Sequence, residues 1–152
     1  MKDNIISVDT TTTTTTYSGL RRGALIGYRW GLLAFLLLGV VQIFLAGLGI
    51  FSLHGQELGA TGETAFNPHR SLGFGMGGLA LIILILALIA RPGARSIVLA
   101  VVMFLLAFLA QSILGGLGED TPVFGGLHAL DGLAILGIAG FLYRSSPRLL
   151  TS

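Results

Sequence analysis

Residues 71–90 read SLGFGMGGLALIILILALIA, twenty positions without a single charge. A helix of that length spans the roughly 30 Å hydrocarbon core of a bilayer. Three further apolar segments flank it, and together they predict helices over about residues 24–51, 67–90, 95–117 and 121–143. Asn67-Pro68 and Thr121-Pro122 give the second and fourth a capping residue followed by proline at the first helical position. Arg91-Pro92-Gly93 ends the second. Short connections between long apolar helices predict an all-α, integral membrane four-helix bundle running up-down-up-down.

Composition agrees. Of 152 residues, 53% are hydrophobic and 11% charged, and the mean hydropathy is +0.88. A water-soluble domain carries about 25% charged residues. There is no cysteine, which excludes disulfides, thiolate metal sites and thioether-linked haem. The net charge of +2 does not mark a nucleic-acid binder, because the basic residues stand singly around apolar segments. Lys2, Arg21, Arg22, Arg29, Arg91, Arg95, Arg144 and Arg148 fall at one end of the bundle, and only Arg70 at the other. That distribution predicts cytoplasmic termini and a multi-pass protein of the inner (plasma) membrane. Residues 1–22, with seven successive threonines from Thr10 to Thr16, read as a disordered cytoplasmic tail, and residues 145–152 as a second tail. No apolar stretch of a signal peptide precedes the first helix, which is expected to act as an uncleaved anchor.

The two halves share a pattern, read as two tandem helix-pair repeats. Gln42-Ile-Phe-Leu-Ala-Gly-Leu-Gly49 matches Gln111-Ser-Ile-Leu-Gly-Gly-Leu-Gly118, each with a phenylalanine seven residues before the glutamine (Phe35, Phe104). His69 with Gly73 matches His128 with Gly132. Two of three glutamines and two of three histidines in the chain thus occupy equivalent places. The directions of the helices put all four in one layer toward the outer end, with the histidines on diagonal helices.

Two neutral imidazoles facing each other can supply both axial nitrogens of a b-type haem, with small residues such as Gly73 and Gly132 leaving room beside them. The same side chains can equally form a structural hydrogen-bond network with no cofactor. Gln42 and Gln111 suit interhelical donors. Arg70 suits either an anion such as a haem propionate or the lipid headgroups. Asp131, one turn beyond His128, can orient that ring, join a proton path, or be solvated at the outer surface. His54, Glu57 and Glu63 in the first outer loop read as solvated groups.

This order of glutamine helix, His-Arg helix, glutamine-glycine helix and His-Ala-Leu helix resembles one four-helix half of heme A synthase over about residues 24–143. It is also similar to a family of small uncharacterised four-helix bacterial membrane proteins. The synthase resemblance implies axial haem ligation by His69 and His128. The chain has one such half where the synthase has two, no cysteine, and Glu57 and Glu63 six positions apart, so the resemblance does not extend to catalysis. The expected partners are the lipid bilayer, a redox partner or quinone, and a second copy in a homodimer. A cofactor-free accessory or scaffold protein is the competing expectation, and a proton or solute path the third.

Overall fold

The computed structural model describes residues 19–53 and 60–146. It contains four long helices, named here α1 (Gly19–Ser52), α2 (Ala60–Ala90), α3 (Ala94–Asp120) and α4 (Pro122–Ser145). Each is long and apolar enough to cross a membrane. Their lipid-facing surfaces carry exposed Trp30, Leu37, Phe44, Phe74 and Leu130, which water would penalise and acyl chains accept. The chain is a multi-pass helical membrane protein.

Neighbours around the bundle are α1–α2, α2–α3, α3–α4 and α4–α1, while the diagonal pairs α1–α3 and α2–α4 make no close backbone approach. Helix bounds differ from the sequence expectation at two starts. α1 begins at Gly19, so the last four residues assigned to the amino-terminal tail are helical, and residues 1–18 lie outside the described residues. α2 begins at Ala60, so Asn67-Pro68 sits inside a helix rather than at its start. Proline costs an interior helix one backbone hydrogen bond, and the turns before it nonetheless continue the helix outward. The expected carboxy-terminal tail is described only at Ser145, which ends α4, and Ser146.

The two tight connections follow from their residues. At Arg91-Pro92-Gly93 the proline stops α2 and Gly93 adopts φ 134°, a conformation open to glycine. Arg21 reaches across to cap α2, donating from Nη2 to the Ala90 carbonyl (3.3 Å). Between α3 and α4 only Thr121 intervenes, extended at φ −134°, with Pro122 opening the next helix. So abrupt a corner presses the two backbones together. A Cβ on Gly118 would lie 2.9 Å from the Gly125 backbone.

One irregularity interrupts α3. Leu106–Ala110 form a wide π turn, and the Gln111 N–H bonds back to the Leu106 carbonyl, five residues earlier. An extra residue in a turn rotates everything beyond it by about 100°. This explains a departure from the repeat pattern. Phe35 is fully buried seven residues before Gln42, whereas Phe104, at the same spacing before Gln111, is only partly buried. The bulge packs against α2 at Gly77, where a Cβ would come within 3.1 Å of the Phe108 ring.

Among the described residues the buried apolar side chains all lie on one side of the glutamine and histidine positions. They are Ala24 to Phe35 on α1, Met76 to Ala90 on α2, Ala100 and Met103 on α3, and Ile135 to Leu142 on α4. The core therefore occupies the arginine-bearing end. There Arg29 donates to the Ser146 carbonyl (3.3 Å) and hydroxyl (3.1 Å) and lies over the Tyr143 ring.

Gly118→Ala is expected to destabilise the bundle by about 1–3 kcal/mol, because the added methyl meets backbone that cannot rotate away. Gly116→Ala, two residues off and facing open space, serves as the control. Unfolding of both variants in mixed micelles measures the difference.

Candidate functional site

The helix phases place Gln42 on α1, His69 on α2, Gln111 on α3 and His128 on α4 in one half-buried layer. Within each helical hairpin the glutamine and histidine make the same reciprocal contact. Gln42 Nε2 donates to the His69 carbonyl (2.8 Å), and Gln111 Nε2 to the His128 carbonyl (2.9 Å). In return His69 Nδ1 donates to the Gln42 carbonyl (3.1 Å), and His128 Nδ1 to the Gln111 carbonyl (3.2 Å). A carbonyl can only accept, so both Nδ1 atoms carry a proton, and in the neutral rings both Nε2 atoms present a lone pair.

Although α2 and α4 stand diagonally, their imidazoles meet at the bundle axis. The ring centroids of His69 and His128 are 6.1 Å apart, with an interplanar angle of 62°. Phe66 packs edge-on against His69 from the outer side (6.3 Å, 83°) and lies over Gly49, where a Cβ would come within 2.8 Å of its ring. Phe66 carried no signal in the sequence beyond its position three residues before a histidine.

The second amide hydrogen of each glutamine goes elsewhere, and here the halves differ. Gln111 Nε2 also donates to Asp131 Oδ2 (2.9 Å). The position matching Asp131 in the first half is Leu72. With no carboxylate available, Gln42 Nε2 lies 3.4 Å from His69 Nε2, donating to its lone pair, while Gln42 Oε1 is buried without a partner. Asp131 thus accepts from Gln111, and among the described residues it makes no hydrogen bond to the His128 ring.

Arg70 pairs with Glu119 across the outer ends of α2 and α3, an exposed contact. The expectation that small residues leave a gap beside the histidines is modified by what fills them. A Cβ on Gly73 would be 3.1 Å from Gln42 Nε2, one on Gly115 3.4 Å from His128, and one on Gly132 3.7 Å from Gln111 Nε2. Gly73 thus seats the Gln42 amide itself, whereas a methyl at Gly132 would make ordinary contact with Gln111. His54 and Glu57 lie outside the described residues, as does the Glu63 side chain. Among the described residues no group of three or more metal-binding side chains converges.

Residues 42–114 are similar to a family of unknown function (DUF6220). That segment begins at Gln42 and includes His69 and Gln111, but ends before α4. No curated protein and no solved structure matches the chain.

In Gln111→Leu both donors are lost, and a carboxylate and a carbonyl lose their partner. At about 0.6–2 kcal/mol for each interhelical bond, this variant is expected to unfold more readily than Gln42→Leu, which strands no charge. Gln111→Glu at low pH, where the acid can donate one hydrogen bond, is expected to recover part of the loss. Unfolding in micelles ranks all three.

Proposed function

We propose that this membrane protein binds one b-type haem between His69 and His128, for electron transfer or haem handling. The observation that carries the reading is the approach of two imidazoles from diagonal helices. The ring centres of His69 and His128 lie 6.1 Å apart, so side chains from the two helix pairs come within reach of one ligand. The donor chemistry fits too. Nδ1–H anchored on a backbone carbonyl is the outer-shell contact that holds a ligating histidine in orientation and keeps Nε2 free of its proton. In this reading Gln42 and Gln111 are positioning residues, each supplying the carbonyl that fixes a ring. Gly73 lets the Gln42 side chain lie flat against the neighbouring helix, and Arg70 is available to a propionate if it leaves Glu119. When bound through two histidines, the haem supplies one-electron transfer rather than oxygen chemistry.

The matching set of contacts in the two hairpins, which we take as a duplicated helix pair, supports the same reading. By the positive-inside rule the arginine-bearing end is cytoplasmic in the inner (plasma) membrane. A redox protein or quinone would then meet the site from the outer side, and a second copy could bind alongside.

A second reading has an observation of its own. Gln42 already occupies the Nε2 lone pair of His69, as a cofactor-free layer that fixes helix register would require.

Protein purified from cells supplied with a haem precursor is expected to show a Soret band and sharp reduced α and β bands. Both His69→Ala and His128→Ala should alter them. A colourless protein that stays colourless with added haem would leave the scaffold reading. A reporter fused after Ser152 is expected to be active only in the cytoplasmic form, and activity outside the cell membrane would reverse the orientation.

A further inference from the structure

The hydrogen bonds around the two rings are matched except at one position, and that exception separates the histidines chemically. Each glutamine amide has two hydrogens to place. One goes to the carbonyl of its histidine in both halves. The other is decided by the residue three positions after the histidine. Asp131 is a stronger acceptor than a neutral imidazole, so Gln111 turns to it. Leu72 offers nothing, so Gln42 settles on the His69 ring. The orientation of Gln42 is fixed, since a flipped amide would set its oxygen 2.8 Å from the His69 carbonyl oxygen.

We infer that Asp131 is a positioning residue that makes the two histidines unequal ligands. By drawing off Gln111 it leaves the Nε2 lone pair of His128 with no hydrogen bond among the described residues, whereas that of His69 is held by Gln42. His128 is the nitrogen ready to bind a Lewis acid in the folded chain, and His69 joins only when Gln42 lets go. If the Lewis acid is haem iron, which rests on the reading above, His128 would be the residue that holds it first. The inequality of the nitrogens does not depend on haem.

The test therefore has two arms. In haem-free full-length protein reconstituted in lipid, with histidine labelled by ¹⁵N, His128 Nε2 is expected at the position of an unbonded lone pair. His69 Nε2 should be displaced by its hydrogen bond. Asp131→Leu should make the two alike, and Asp131→Asn, whose amide oxygen still accepts from Gln111, should preserve the difference. Two alike signals in the unaltered protein, or an unchanged difference in Asp131→Leu, would overturn the inference whether or not haem binds.

In the second arm, haem is titrated into the variants. His69→Ala should retain a five-coordinate, high-spin haem that takes up carbon monoxide or added imidazole. His128→Ala should bind about 10- to 100-fold more weakly than His69→Ala, and Gln42→Leu should tighten binding. Equal losses in the two histidine variants would overturn the order of loading. Unequal nitrogens in a protein that never takes up haem would refute the haem proposal and leave the inference standing.

Discussion

A backbone carbonyl that accepts from the neighbouring helix is the interaction on which this bundle's polar layer depends. Lipid offers no hydrophobic drive between helices and no water to satisfy a stray polar group. Each glutamine therefore has to find its partners inside the bundle, and it finds them on the backbone beside a histidine. The histidine answers with its own Nδ1 on the glutamine carbonyl. Because each contact ties a side chain to main chain, it fixes the axial offset of two helices as well as their separation. The glycine at 73 follows from this, since a side chain there would crowd the Gln42 amide.

Much of this could be read from the residues. Long charge-free segments and prolines at their edges define the number of helices, and the rarity of glutamine and histidine in the chain points to Gln42, Gln111, His69 and His128. What could not be read is which hydrogen each group donates. Asp131 is one turn from His128 on the same helix, which suggests direct contact, yet Gln111 from α3 comes between them. The pairing of Arg70 with Glu119 was equally hidden, because it joins residues 49 positions apart in helices whose mutual rotation is set by the π turn. A wide turn has no compositional signature in Leu106-Ala-Phe-Leu-Ala110. The repeat spacing from phenylalanine to glutamine conceals it, since both halves count seven residues.

The start of α2 carries a similar lesson. Asn67-Pro68 has the residue types of a helix beginning, and the helix begins seven residues earlier, at Ala60. Pro68 has eight helical residues before it and removes one backbone hydrogen bond from α2. Phe66, in that added stretch, covers His69. The second hairpin has no counterpart, because Gly125 stands where Phe66 stands and lets α4 close directly on α3. Sequence symmetry thus coexists with two different closures.

The lopsided core has a mechanical consequence. Among the described residues the buried apolar side chains sit between the polar layer and the arginine-bearing end, so that end holds the densest aliphatic packing. Parting the two hairpins at the outer end would break the exposed Arg70–Glu119 pair, while each glutamine–histidine contact, made within one hairpin, would stay whole. The molecule is built like forceps whose arms are the two hairpins, and each arm carries one imidazole.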